Sequence, residues 1–352
     1  MPDKVLISII IPIFNAETTL NQCLLSIKQQ DFMGFEVLLV DDHSTDKSAE
    51  IMRTWTQKDF RFHDLKLDQM TGAAAARNYG LQHAKGDYVF FLDADDWIES
   101  ETLSSLYKLA VQTQADLVCC SHIQNRGEKV VLKQDGAPEQ DHVFNHHELS
   151  DYIQHYLETP YFYTLFVHCW GKLFKTDIIQ AHGLIFDESL SQLEDVNFNF
   201  KFMHFAKKVA YKQAHLYHHR ISNQHNSMSK KSGEEDDFLK KIFIAYHPIS
   251  PFLSSISKGN TESADRLVNK LAINTIVITI IRLSRTFLKK PSMAFWRKIR
   301  LISQSFEVKQ CLRHYSPKKG ESKLIFYALR SGITILVALA GLIRASVITL
   351  RK

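Results

Sequence analysis

Three apolar runs constrain this chain: VLISIIIPIF (residues 5–14), FEVLLVDD (residues 35–42) and DYVFFLDADD (residues 87–96). None alternates polar with apolar residues, so each reads as a strand buried on both faces, the mark of a mostly parallel sheet flanked by helices. Helical periodicity fills the intervals. AETTLNQCLLSIKQQ puts Leu20, Leu24 and Ile27 on one face, KSAEIMRTWTQK follows the second strand, and GAAAARNYGLQHAKG stands between glycines. The β-α-β-α-α-β order predicts a Rossmann-type α/β fold.

Each strand runs into polar residues: Asn15, then Asp41 and Asp42, then Asp93, Asp95 and Asp96. Ligands of such sheets sit outside the carboxyl ends of the strands, so these residues are the candidate site. Pro12 is expected to end strand pairing, and Phe14 offers a ring on which a base can stack. Asn15 and Glu17 stand at the start of the next helix, whose N-terminus favours phosphate. The Asp42 carboxylate only accepts hydrogen bonds, which suits a base N–H or ribose hydroxyls. Asp46 and Ser48 read as caps of the following helix. Arg77, beside an alanine face, suits a base or a phosphate.

On an extended segment, Asp93 and Asp95 would leave the chain on the same side. One then reaches a ribose and the other a hard divalent cation, Mn²⁺ or Mg²⁺. One or two carboxylates suffice for such an ion when phosphates supply further ligands.

The 352 residues, 45% hydrophobic and 11% aromatic, suffice for one large α/β domain plus an appendage and exclude global disorder. Charge divides them sharply. Residues 1–237 carry 22 Lys+Arg against 34 Asp+Glu (−12), and residues 238–352 carry 21 against 4 (+17). The basic third reads as helical and calls for an anionic partner. Its aromatics are not interleaved as stacking platforms, which points to an anionic membrane surface rather than nucleic acid. Its best apolar run, Ser331 to Ile343, has 13 residues. A span needs about 20, so a basic amphipathic or monotopic helix fits better, with packing on the rest of the protein as the alternative. Five cysteines without a CxxC pair imply a reducing cytoplasm and no disulfide framework. The N-terminal apolar run, interrupted by Pro12 and Asn15, reads as a strand and not a signal peptide.

Residues 101–237 read as a helix, the strand DLVCCSH, a polar loop to about Glu148, and mixed elements thereafter. The histidines His215, His218, His219 and His225 have spacing that a helical zinc site would use, but no cysteine or further ligand group joins them. Structural histidines are the alternative.

ISIIIPIFN, VLLVDDHSTD, GAAAARNYG and FFLDADDW, in this order, resemble the nucleotide-sugar-binding half of family 2 inverting glycosyltransferases of the GT-A fold. The likeness extends more weakly through HCWGKLFKTDII, LEDVNF and YHHRISNQHNSMS. It implies a GT-A domain over residues 1–237, with a donor half to residue 100 and an acceptor half beyond; residues 238–352 lie outside the likeness, and their charge is what marks them as a basic, membrane-associating helical region. It implies metal-dependent, inverting transfer of a hexosyl or N-acetylhexosaminyl group from a UDP-linked donor. The acceptor is read from the +17 charge of residues 238–352 and not from the likeness: a membrane-borne surface glycan or glycolipid, such as a lipopolysaccharide or capsule intermediate, at the inner face of a bacterial inner membrane. By the same resemblance, Asp42 and Arg77 hold the uracil while Pro12 and Phe14 line the base. Asp93 meets the nucleotide, Asp95 the metal, and Asp96 anchors the loop. Asp195, from the pair Glu194–Asp195, is the general base, and His219 or Arg220 meets the diphosphate. Trp170 and Lys172 line the acceptor side, or Trp170 packs into the core. An inactive sugar-nucleotide-binding homologue and a nucleotidyltransferase on a similar sheet are the other readings. The lack of GxGxxG after the first strand argues against a dinucleotide-dependent oxidoreductase.

Overall fold

A computed structural model describes residues 4–160, 162–221, 237–256, 261–313, 315, 317 and 322–350. The chain divides into two compact units, Met1–Lys231 with Ser255–Ser257, and Ser232–Ser254 with Lys258–Lys352.

The first unit runs β1 (Ile7–Ile13), α1 (Leu20–Lys28), β2 (Phe35–Asp41), α2 (Ser48–Lys58), β3 (Phe62–Lys66), α3 (Ala73–His83), β4 (Tyr88–Phe91), β5 (Trp97–Ile98) and α4 (Thr102–Thr113). It continues through β6 (Leu117–Arg126), β7 (Lys129–Lys133), β8 (His142–Phe144), α5 (His146–Glu158), β9 (Lys172–Lys175), α6 (Thr176–Ala181), α7 (Glu194–Phe205) and β10 (Val209–Arg220). The strands form one sheet in the order β3-β2-β1-β4-β9-β6-β10-β5, with β7 on β6 and β8 on β10. From β3 to β4 every pairing is parallel. β9 then enters antiparallel to both β4 and β6, and β10 runs parallel to β6. The carboxyl ends of β1, β2, β4 and β10 therefore share one edge with the start of β9.

All seven residues of β1 and of β2 are buried, including Ser8, whose hydroxyl donates to Glu36 Oε1 at 2.7 Å. Each fully buried Ile or Phe contributes about 1.5–3 kcal/mol over leaving it exposed. Pro12 does not end β1: pairing with β2 continues to Ile13 opposite Asp41. Pairing with β4 stops at Ile10, whose carbonyl accepts from the Leu92 N–H. Pro12 has the parity of Ile10, so its missing N–H falls where no ladder remains. Gly80 lets α3 lie close on β1, since a Cβ there would stand 2.4 Å from Ile10 Cγ2.

Three elements depart from the sequence reading. β3 has only Phe62 buried, so this edge strand carries no apolar run to betray it. The stretch expected to be loop holds β7 and β8, and β7 is largely exposed along its length. β10 is a strand, with register shifts against β6 between Lys212 and His215 and between His215 and Tyr217. The histidine spacing suited to a helix thus lies on extended backbone. His218 pairs with Glu99, whereas His215 meets the Lys133 carbonyl, so the described histidines form no shared zinc site. His225 lies outside the described residues.

The second unit is helical: α8 (Phe238–Tyr246), α9 (Ile249–Ile256), α10 (Thr261–Lys289), α11 (Met293–Gln304), α12 (Phe306–Leu312), α13 (Lys323–Ser331) and α14 (Thr334–Leu350). α10 packs against α8, α11, α12 and α14. It approaches α14 closely at Gly341, where a Cβ would meet Ser284 Oγ at 2.5 Å. Among the described residues, α10 is the one helix long and apolar enough to cross a membrane; the run Ser331–Ile343 is instead divided at Gly332 (φ +68°) between α13 and α14.

Candidate active site

Arg77, buried on α3, gathers the acidic residues. Its Nη2 donates to Asp93 Oδ1 at 2.9 Å, and its Nη1 reaches Asp195 Oδ1 at 3.2 Å and Glu194 Oε1 at 3.3 Å. The guanidinium lies 5.4 Å from the centroid of Phe186. Sequence reading placed Arg77 at the base. The structure instead spends its guanidinium on three carboxylates from β4's loop and α7.

α7 is aimed at the sheet edge by its apolar face. Phe198 stacks on Phe186 at 4.1 Å between centroids and meets Phe91 and Phe174 edge-on at 5.7 and 5.6 Å. Glu194 and Asp195 thereby open the helix at the site, behind Leu193 in a left-handed conformation (φ +64°). Asp195 Oδ2 accepts from the Cys169 N–H at 3.1 Å. Burial, then the charge of Asp195, pushes Glu194 up to about 7, against the pull of Arg77.

The DADD segment is a turn, not the extended stretch expected. The Asp96 N–H donates to the Asp93 carbonyl at 3.0 Å. The turn brings carboxylate oxygens of Asp93, Asp95 and Asp96 within 4.8 Å of one another. Both oxygens of Asp96 are hydrogen-bonded: its Oδ2 accepts from Tyr217 Oη at 2.7 Å and its Oδ1 from the Arg220 N–H at 2.7 Å. Tyr217 Oη in turn accepts from the Asp93 N–H at 3.3 Å. Arg220 Nε donates to the Asp95 carbonyl at 2.8 Å, its Nη2 bonds Gln22, and its guanidinium lies 4.8 Å from the Trp97 ring. In this arrangement Arg220 holds the acidic turn through its backbone N–H and Nε and reaches Gln22 through Nη2.

The loops after β1 and β2 bind each other. The Asn15 N–H donates to Ser44 Oγ and its Oδ1 accepts from the Thr45 N–H at 2.8 Å. The Glu17 N–H donates to Asp46 Oδ2, and Glu17 Oε2 accepts from the Lys47 N–H. These two side chains, expected on the donor, shape the rim instead. The Ala16 N–H donates to Ser48 Oγ, so Ser48 belongs to the same scaffold. Asp42 is fully buried and accepts from the Thr71 N–H at 2.7 Å and the Gly72 N–H at 2.8 Å. It shapes the turn before α3; Thr71 Oγ1 also donates to its Oδ1 at 3.3 Å, so the lone pair left over is on Oδ2. Phe14 is half-buried at the rim.

Trp170 and Lys172 lie in the interior, in keeping with the core alternative for Trp170. Trp170 is buried and stacked between His168 and Tyr217, at 4.5 and 4.4 Å. Lys172 is buried, with its Nζ donating to the Trp170 carbonyl at 3.2 Å. His219, half-buried beside Trp170, has its pKa pushed down to about 4 by burial and then by His122. Its Nδ1 has no hydrogen-bond partner among the described residues.

Comparison with known proteins fixes the lineage of this site. The family described as Glycosyl transferase family 2 matches residues 8–183, half of the 352-residue chain. The chain belongs to glycosyltransferase family 2. It is 31% identical over 225 residues to EpsH of Bacillus subtilis (strain 168), covering 61% of this chain and 60% of EpsH. It is 33% identical to glycosyltransferase GlyA of Streptococcus pneumoniae serotype 4, covering 61% of this chain and 30% of GlyA. The chain thus spans from under a third to about three fifths of the length of these relatives. Among solved structures, S. aureus TarS 1–349 in complex with UDP-GlcNAc matches with a TM-score of 0.72 at 20% identity, over 96% of this chain and 90% of that one. At that identity the likeness is one of fold, and it establishes the GT-A-like architecture.

In this family 2 chain the acidic turn fits a hard divalent cation. Asp96 accepts from Tyr217 and Arg220, so Asp95 and the second oxygen of Asp93 are the freest of the three carboxylates to serve as ligands. No hydrogen bond or ion pair from another described residue reaches the Asp95 carboxylate. Burial, then the charge of Asp93, raises Asp95 to about 6. Tyr217 and Cys169, which sequence reading missed, are placed here by strand pairing and backbone contact, so no local motif marks them.

Proposed function

We propose that this chain transfers a hexosyl or N-acetylhexosaminyl group, with inversion, from a UDP-linked sugar to a surface-glycan acceptor, in a metal-dependent reaction. The observation that carries this reading is the convergence of Asp93, Glu194 and Asp195 on Arg77 at the carboxyl edge of the sheet. One carboxylate of the Glu194–Asp195 pair takes the proton of the acceptor hydroxyl. The freed oxygen attacks the anomeric carbon from the face opposite the diphosphate, and the bond from that carbon to the diphosphate oxygen breaks. Mn²⁺ or Mg²⁺, held by Asp95 and Asp93, would supply positive charge for the leaving diphosphate. Arg77 fixes the spacing between the acidic turn and α7. The Asp42 turn, Pro12 and Phe14 form the base side, and His219 adjoins the diphosphate as a neutral group.

Relatives with related chemistry support the donor and acceptor class. TarS of Staphylococcus aureus (strain MW2), a poly(ribitol-phosphate) beta-N-acetylglucosaminyltransferase, is 27% identical over 66% of this chain. The acceptor we infer is an anionic or lipid-linked glycan, such as a lipopolysaccharide or capsule intermediate. Residues 1–237 act as the catalytic domain, donor half first. Residues 238–352 hold the enzyme peripherally at the cytoplasmic face of an anionic membrane, where each basic residue near the leaflet contributes about 1 kcal/mol.

The test is a panel of nucleotide sugars scored for nucleoside diphosphate release with Mn²⁺, with Mg²⁺ and with chelator. Turnover of one UDP-sugar, lost with chelator and in Asp95→Ala, is the expected result. No turnover with any donor, or an Asp95→Ala variant as active as the parent, overturns the reading.

A further inference from the structure

We propose that the outward faces of α13 and α14 insert into an anionic lipid leaflet, so that the second unit is held by apolar contact as well as by charge. The inference rests on the reading of residues 238–352 as membrane-associating and specifies where and how that contact is made.

On α14, Ile335, Leu336, Leu339 and Ile343 are exposed. Their spacing of i, i+1, i+4 and i+8 confines them to one stripe about 100° wide. Val337, Ala338, Ala340 and Ala345 are buried on the other side, where α14 packs against α10, α11 and α13. α14 contains no acidic residue. α13 repeats the arrangement: Leu324 and Tyr327 are exposed on the face that also carries Lys323 and Arg330, and Ile333 is exposed in the turn between the helices. Contiguous apolar surface of this kind is rare on proteins that have no partner for it.

Charge selects the occupant. The apolar residues are flanked by Lys323, Arg330 and Arg344, and the whole 238–352 segment carries 21 basic against 4 acidic residues. Lysine and arginine stems lie along apolar surface while their heads reach phosphate depth, and Tyr327 suits the same boundary. An acyl layer beneath an anionic phosphate layer matches both features. The opposite face of α14 is occupied by other helices and its 17 residues fall short of a span, so α14 lies along the leaflet instead of crossing it.

The test uses the full chain with Leu339→Cys carrying an NBD label. All five native cysteines are buried, so the label is directed to the new site; Gln57→Cys, exposed on the first unit, is the control. With vesicles of phosphatidylcholine and phosphatidylglycerol, NBD at residue 339 is expected to brighten and shift to the blue, to persist when salt is then raised, and to stay unchanged at residue 57. Leu336→Ser/Leu339→Ser/Ile343→Ser should still adsorb at low salt, with retention at high salt about tenfold weaker or less. Binding that is wholly salt-reversible with an unchanged label overturns insertion and leaves the electrostatic membrane reading standing. No binding at any salt overturns both. A label already blue without lipid, with a dimer by size, assigns the face to a second copy and overturns the proposal.

Discussion

Arg77 Nη2 stands 2.9 Å from Asp93 Oδ1, and this one contact ties α3 to the acidic turn that follows β4. Arg77 Nη1 faces Glu194 and Asp195, so a single cation sets the separation between the two acidic groups of the site.

Arg77→Met should therefore harm both fold and function. Removing one partner of a buried ion pair costs about 3–5 kcal/mol, here at the lower end because Asp93 is partly exposed. A displaced acidic turn is expected to lower turnover about 10²-fold. Arg77→Lys keeps the charge but loses the fork and should fall between. Thermal melts alongside diphosphate release measure both effects; an active, fully stable Arg77→Met would show that the hub is dispensable.

The pH profile separates the two candidate bases. Glu194 holds its proton up to about 7 because of burial and the neighbouring Asp195. If Glu194 accepts the acceptor's proton, kcat/KM climbs as pH rises through about 7, and Glu194→Gln removes the climb. If Asp195 is the base, Asp195→Asn abolishes turnover and Glu194→Gln only shifts the profile. Stability follows with its own sign. The folded pKa is raised above the unfolded value of about 4.3, so the native state retains a proton that the unfolded chain releases. Stability therefore declines from about pH 4 to 7, and the decline should flatten in Glu194→Gln.

Tyr217→Phe removes the hydroxyl that donates to buried Asp96 and accepts from the Asp93 N–H. An unsatisfied buried polar group costs about 1–3 kcal/mol, which a urea midpoint will register. Half-maximal turnover should also need more Mn²⁺, because the acidic turn loses its brace. Tyr211→Phe is the control: that hydroxyl bonds Ser121 and should leave the metal requirement alone.

His122 Nδ1 lies 2.8 Å from Asp135 Oδ2. Burial opposes the Asp135 charge, but His122, and then Thr164, outweigh it and hold the carboxyl below its ordinary range. A depressed folded pKa contributes stability that is complete above the unfolded value of about 3.9 and lost as pH falls through the folded one. Asp135→Asn should thus flatten the acid limb of a melting-temperature profile below about pH 4 while lowering stability at neutral pH.

Where burial and strand order dominate, the sequence alone was informative. β1, β2 and β4 are mainly apolar runs, and their polar ends do lie at one edge of the sheet. β3 was illegible because an edge strand need bury only one side chain. The roles of Asn15, Glu17 and Arg220 were illegible for a different reason. Each is engaged by residues far along the chain, such as Ser44, Lys47 and Asp96, and spacing along one segment carries no trace of such bonds. The same holds for Tyr217, an ordinary strand tyrosine until the sheet brings it under the acidic turn.

Between the pairs Lys212–Cys120 and Tyr217–His122, β10 advances five residues while β6 advances two, a surplus of three. Side chains on a strand alternate faces, so this odd surplus reverses the phase of everything after it. Tyr217 and His219 consequently share the side of Trp170, while His218 and Arg220 share the side of Trp97. Length variation in this short stretch is then a matter of parity. Insertion or loss of two residues preserves the assignment of side chains to faces, whereas a single residue exchanges them and turns the Tyr217 ring away from the acidic turn.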